Sequence, residues 1–152
     1  LYTSYFQRKN LGFGTVFYWG SGCNMKFIIK NGLPVVAVDF FYHGSHVHMK
    51  NVLIDTGCAI SIFDVDAVEA AELRIDPING VIKRMYGIGG QSELCYEQKL
   101  NEVKTGEFYF SSFVLQLGMT RKPYGFDGIL GSDFFQKTKS VIDFKNNTIR
   151  AD

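Results

Sequence analysis

An all-β domain, closed or nearly closed, is the fold class this sequence predicts. Three observations predict it. Short segments rich in β-branched and aromatic residues recur along the chain. Turn signals built on Gly and Asn separate them at regular intervals. Only two stretches, near residues 64–73 and after residue 131, carry a helical pattern. The 152 residues suit one domain with a real core, and no internal repeat divides them. An apolar fraction of 46% against 20% charged residues is a globular composition, not a disordered one.

Taken in order, Leu1 to Asn24 is aromatic-rich and carries Arg8 and Lys9 without an acidic residue. It lacks the long apolar core of a signal peptide and is expected to be an N-terminal arm of unclear role. Regular patterning starts at Met25, so residues 25–152 are read as the domain. Lys26 to Lys30 is the first strand, and Asn31-Gly32 is a hairpin turn. Val35 to Tyr42 and His46 to Ile54 are strands joined by His43-Gly44-Ser45. Ser61 to Phe63 is a short strand. Asp64 is an N-cap candidate for a helix reaching about Leu73, with Val65, Val68 and Leu73 on its apolar side. Val81 to Tyr86 and Glu93 to Leu100 flank a glycine-rich tip, Gly87-Ile88-Gly89-Gly90. Glu102 to Leu117 reads as two strands around Thr105-Gly106, and Arg121 to Gly125 as a loop. Asp127 to Gly131 leads into a short helix capped by Ser132 or Asp133. Val141 to Ile149 closes as a hairpin turning at Asn146-Asn147.

Several functions are excluded or disfavoured. A net charge of +1 gives no case for nucleic acid or an anionic membrane. No apolar run reaches the roughly 18–20 residues that span a bilayer. Three cysteines, Cys23, Cys58 and Cys95, form neither a disulfide framework nor a CxxC pair. They favour a reducing, cytoplasmic setting.

The chemistry-bearing feature is Asp55-Thr56-Gly57, which directly follows the aliphatic run Val52-Leu53-Ile54. Apolar surroundings disfavour a charged carboxylate, so a carboxylate placed there calls for a use. Thr56 adds a hydroxyl, and Gly57 suits a tight hydrogen-bonded loop. Only one such element occurs in the chain. A reaction needing two carboxylates must therefore take the second from another chain.

From Met25 to Ile149 the order of three elements resembles the retropepsin-like aspartic peptidases, single-domain relatives of pepsin that act as homodimers. The elements are Leu53-Ile54-Asp55-Thr56-Gly57, the tip Tyr86-Gly87-Ile88-Gly89-Gly90, and Gly128-Ile129-Leu130-Gly131. The segment Asp127 to Phe135 is most similar to bacterial members. The resemblance implies a closed, barrel-like acid-protease fold with one or two short helices. It implies an aspartic endopeptidase in which Asp55 pairs with its counterpart in the second subunit. Thr56 would then brace the two loops and Gly57 would allow their close approach. Residues 86–90 would form a flap over an extended polypeptide, and Gly128 to Gly131 would thread beside the Asp55 loop. No cofactor or metal is implied. Ile60, Ile62, Ile88 and Ile129 would line apolar substrate pockets. Asp127 is not followed by Thr or Ser and Gly, so it is not a second catalytic aspartate. One departure is Cys58, where the family usually carries Ala or Ser.

Blander readings stand beside these. Asp55 alone could be a loop aspartate that accepts backbone hydrogen bonds, and the glycines a plain hairpin turn. Cys58 reads as a packed small residue, or as a redox control point near a dimer axis. His43, His46 and His48 cluster, and the latter two share a strand face where a metal could bind, but an exposed strand face is the plainer reading. Lys99, Lys104, Arg121 and Lys122 read as solvated charges. A non-catalytic dimeric peptide-binding module of the same fold is the alternative to an enzyme, and a histidine-dependent metal-binding β protein is a third.

Overall fold

Alternating apolar side chains and glycine- or asparagine-built turns produce twelve strands among the described residues, named in chain order. They are β1 (Phe6–Asn10), β2 (Thr15–Trp19), β3 (Cys23–Lys30), β4 (Leu33–Tyr42), β5 (Ser45–Ile54) and β6 (Ile62–Asp64). The others are β7 (Val81–Tyr86), β8 (Ser92–Thr105), β9 (Phe108–Gly118), β10 (Gly128–Leu130), β11 (Val141–Asp143) and β12 (Thr148–Ala151). The structure is a computed structural model that describes residues 6–10, 15–19, 23–87 and 89–151. Asn31 and Gly32 both take positive φ, 51° and 78°, which is the geometry a two-residue hairpin turn needs between right-twisted strands. His43 and Gly44 repeat that solution between β4 and β5.

The pairings close on themselves. β4 pairs β5, β5 pairs β10, β10 pairs β6, β6 pairs β9, β9 pairs β8, and β8 returns to β4. Two contacts in this ring, β5 with β10 and β6 with β9, are parallel, and the other four are antiparallel. Outside the ring, β3, β12 and β11 extend from β4, while the β1–β2 hairpin extends from β9.

Inside lies one apolar cluster. Phe40, Phe63, Phe108, Phe110 and Phe134 are all fully buried, and edge contacts with ring centroids 5.4 Å apart join Phe40 to Phe63 and Phe108 to Phe134. Each such ring contributes roughly 1.5–3 kcal/mol of transfer free energy. In β4 both Val35 and Val36 are buried, a break in strict alternation that a register shift between Val36 and Val38 accommodates.

Four local expectations are corrected. The segment after Asp64 is a single α-turn, α1 (Val65–Val68), followed by a 3-10 turn over Glu69–Ala71. It ends there because Glu72 adopts a left-handed conformation, and Leu73 is still buried beyond it. Residues 92–105 form one strand where two were expected. Glu102 bends it with φ 55°, and the buried face changes from Gln98 and Leu100 to Val103 and Thr105. Residues 121–124 are helical (α2, Arg121–Tyr124) and end on Gly125 at φ 76°. The final helix, α3 (Ser132–Thr138), is capped by Gly131 rather than by a side chain, because Ser132 and Asp133 hydrogen-bond elsewhere.

Candidate active site

Asp55 is the first residue past β5, and the strand beside it decides its position. The apolar triplets Val52–Ile54 and Gly128–Leu130 pair in parallel. The pairing continues into the loop, where the Asp55 N–H donates to the Leu130 carbonyl at 3.0 Å. The chain then turns sharply. The Gly57 N–H donates to Asp55 Oδ1 at 2.9 Å, and the Cys58 N–H donates to the Asp55 carbonyl at 3.1 Å. Asp55 stays half-exposed, with Thr56 and Gly57 exposed beside it, so the carboxylate is open to a reactant.

The segment after β10 passes against this loop with no room to spare. A Cβ on Gly131 would stand 2.6 Å from the Cys58 carbonyl oxygen and 3.1 Å from the Ile60 carbonyl carbon. Glycine is required there by close approach, since its φ of −91° suits any residue. The contact is fastened by polar groups. The Ser132 N–H donates to the Cys58 carbonyl at 2.8 Å, and the Ser132 hydroxyl donates to the Thr56 carbonyl. Buried Ser61 accepts from the Gly131 N–H at 3.0 Å and donates its own hydroxyl to Asp133 Oδ1 at 2.8 Å. The same carboxylate oxygen accepts the Ser61 N–H at 2.9 Å. Sequence reasoning did not single out Ser61 as a site residue, and it gave Ser132 and Asp133 the work of capping a helix. The available signal was that Asp133 and Ser132 directly follow Gly131.

A second carboxylate cluster supports the same strands from behind. Asp64 is buried and accepts four backbone N–H bonds. Those of Asp66 and Ala67 are the expected cap, and those of Thr120 and Arg121, both at 2.8 Å, come from a distant segment. Burial disfavours its charged form, but the four donors outweigh that and hold the carboxyl below the usual range. Asp127 is also buried. It accepts the Asn51 N–H at 3.1 Å and the Arg121 Nε–H at 2.7 Å, so it braces β5. Arg121 is thus an ion-pair partner of Asp127 and not a free solvated charge.

Asp55, Thr56, Gly57 and Ile129 are brought together by the β5–β10 pairing. Tyr86, Gly87, Gly89 and Gly90 form the hairpin tip between β7 and β8. The Gly87 N–H donates to the Gln91 carbonyl at 2.9 Å, and Gly89 and Gly90 take φ of 97° and 80°. Ile88 lies outside the described residues. Tyr86 is exposed, and the Tyr124 hydroxyl ties the hairpin just below its tip by donating to Glu93 at 3.1 Å. Ile60 and Ile129 are half-buried, whereas Ile62 is fully buried and cannot line a pocket.

The Cys58 thiol donates to the Ile60 carbonyl at 3.1 Å. Burial foremost, with the charges of Asp55 and Asp133 behind it, pushes this thiol above its ordinary range. Burial does the same to Cys95. Both are free, and both are poor thiolates at neutral pH, which argues against a sensitive redox switch at Cys58. His46 Nε2 and His48 Nδ1 converge on Asp39 Oδ1 at 2.9 and 2.8 Å. These hydrogen bonds hold the Asp39 carboxyl low. Among the described residues, no group of three His, Cys, Asp or Glu side chains is arranged to hold a metal ion. A surface groove of about 410 Å³ lined by Phe41, Tyr42, His43, Glu102, Lys104 and Tyr109 sits at the far end of β5 and includes nothing from the Asp55 loop.

A retropepsin-like aspartic protease from Rickettsia conorii superimposes on 99% of this chain and 95% of its own, with a TM-score of 0.59 and 14% identity. The fold is retropepsin-like. The retroviral protease-like domain of Ddi1 from Leishmania major is a second structural neighbour, covering 76% of this chain and 86% of its own at a TM-score of 0.46 and 18% identity. No protein-family model and no curated protein matches the sequence. No helix among the described residues is long and apolar enough to cross a membrane.

Proposed function

We propose that the protein is an aspartic endopeptidase that acts as a homodimer, with residues 25–152 as the peptidase domain and residues 1–24 as an arm. One observation carries the reading. In a retropepsin-like fold, the Asp55 carboxylate is accessible, held by the Gly57 N–H, and seated on a loop that Gly131 and Ser132 fasten from below. Such a loop supplies one carboxylate per chain. Peptide hydrolysis without a metal needs a base to activate water and an acid for the carbonyl oxygen and the leaving nitrogen. Two Asp55 side chains across a two-fold axis supply both roles. Like charges at close range cannot both ionise cheaply, so the pair shares one proton, the established logic of aspartic-protease dyads.

In this reading, water sits between the two carboxylates, and the ionised one takes its proton as the oxygen attacks the peptide carbonyl. The protonated one donates to the carbonyl oxygen, and the proton gained by the first passes to the leaving nitrogen. Thr56 braces the two loops across an isologous interface. The substrate lies extended beneath the hairpin tip as an added strand, and Ile60 and Ile129 receive apolar side chains. The free Cys58 and Cys95 fit a reducing, cytoplasmic setting.

The test is cleavage of a diverse peptide library by wild type and Asp55→Asn at several protein concentrations, at mildly acidic and neutral pH. Cleavage by wild type alone, with specific activity rising with concentration, is the expected result. A protein that sediments as a dimer and still cleaves nothing would instead be a peptide-binding module of this fold.

A further inference from the structure

The peptide unit between Thr56 and Gly57 is held at both ends. Its N–H, carried by Gly57, donates to Asp55 Oδ1 at 2.9 Å. Its carbonyl, carried by Thr56, accepts the Ser132 hydroxyl. A peptide is planar and resists rotation about its C–N bond. Fixing the direction of the oxygen therefore fixes the direction of the N–H on the opposite side. Donation to the carbonyl also polarises the amide, which strengthens the bond its N–H makes.

Ser132 is itself well anchored. Its N–H is bound to the Cys58 carbonyl at 2.8 Å. The preceding residue, Gly131, is pinned by Ser61 Oγ, and two residues later Phe134 enters the core. The hydroxyl thus stands on the rigid part of the molecule and reaches the part that turns most sharply. We infer that Ser132 is a positioning residue that sets the Gly57 N–H on the Asp55 carboxylate through the peptide they share. Its consequence for rate rests on the reading of Asp55 as catalytic. The positioning itself is a property of the folded chain and can be measured without turnover.

The experiment compares wild type, Ser132→Ala and Ser132→Thr by amide hydrogen exchange at Gly57, followed by NMR, with circular dichroism to verify folding. Loss of one hydrogen bond is worth about 1 kcal/mol, so Ser132→Ala is expected to speed Gly57 exchange about fivefold. Ser132→Thr, which keeps the hydroxyl, is expected to return it to within about twofold of wild type. In peptide cleavage, Ser132→Ala is expected to lower kcat with KM unchanged, since a carboxylate held less firmly is less often in place for the reaction. Unchanged Gly57 exchange in folded Ser132→Ala overturns the inference, as does a Ser132→Thr protein that exchanges as fast as the alanine variant. Faster exchange in a protein that cleaves no peptide retires the peptidase reading and leaves the positioning role standing.

Discussion

Replacing Gly131 with alanine tests the close contact on which the candidate site depends. The added Cβ would stand 2.6 Å from the Cys58 carbonyl oxygen. An ordinary carbon–oxygen contact is about 3.3 Å or more, so the loop and the β10–α3 junction must part by about 0.7 Å. Neither side is the yielding end of a flexible side chain, since both the Cys58 oxygen and the Ile60 carbonyl carbon are backbone. Overpacking of this kind costs about 1–3 kcal/mol. Parting the two segments also weakens the Ser132–Cys58 and Gly131–Ser61 hydrogen bonds, each worth about 1 kcal/mol. A loss near 3 kcal/mol follows, which lowers the melting temperature by about 6–12 °C for a chain of this size. On the proposed reading of Asp55 as catalytic, displacement of its loop by most of an ångström lowers peptide cleavage by up to about a hundredfold. Calorimetry on wild type and variant reads the first effect, and kcat/KM the second. A Gly131→Ala protein with the wild-type melting temperature would refute the reasoning, because it would mean the two segments separate at no cost.

Three further outcomes are expected. Because the Asp64 carboxyl is held low in the folded state, its contribution to stability is present above its unfolded pKa, about 3.9, and is lost as pH falls through the folded value. Urea unfolding of Asp64→Asn between pH 3 and 7 is therefore expected to show lower stability at neutral pH and a flatter acid limb than wild type; parallel curves would contradict this. Cys58 is expected to alkylate slowly at neutral pH, as peptide-level mass spectrometry would record, because burial keeps its thiol protonated. The Thr105 hydroxyl is buried without a hydrogen-bond partner among the described residues, so Thr105→Val is expected to leave stability unchanged or raise it by up to about 1 kcal/mol in chemical denaturation, since it removes an unsatisfied group at nearly constant shape.

The parts of the fold that rest on neighbouring residues were legible in the sequence. Asn31-Gly32 marks its own turn, and Asp64 accepts the two N–H groups of the helix it starts. The candidate site was legible as far as the residue types needed at Asp55, Gly57 and Gly131. The bonds that assemble it were not, because they join residues far apart in the chain. Asp64 reaches Thr120, Ser61 reaches Asp133, and Ser132 reaches Thr56, and no local pattern encodes those distances. Glu102 misled for a related reason. A charged residue before a Thr-Gly turn reads as a strand start, but its left-handed backbone bends one continuous strand so that both halves can bury a face.

The length of β8 has a mechanical consequence. Between Tyr96 and Thr105 it is paired with β9, but from Ser92 to Cys95 its neighbour is β7. Lys83 stands opposite Cys95, and past that pair the β7–β8 hairpin is a two-stranded ribbon whose described residues are exposed or half-buried. Two-stranded ribbons are marginal by themselves, whereas the closed ring of pairings behind this one is not. The hairpin can therefore pivot about the Lys83–Cys95 pair without breaking one bond of the ring. The Tyr124–Glu93 contact is the tie such a swing releases. A single strand is thus compliant at its tip end, where β7 is its one neighbour, and stiff where β9 and β4 hold it.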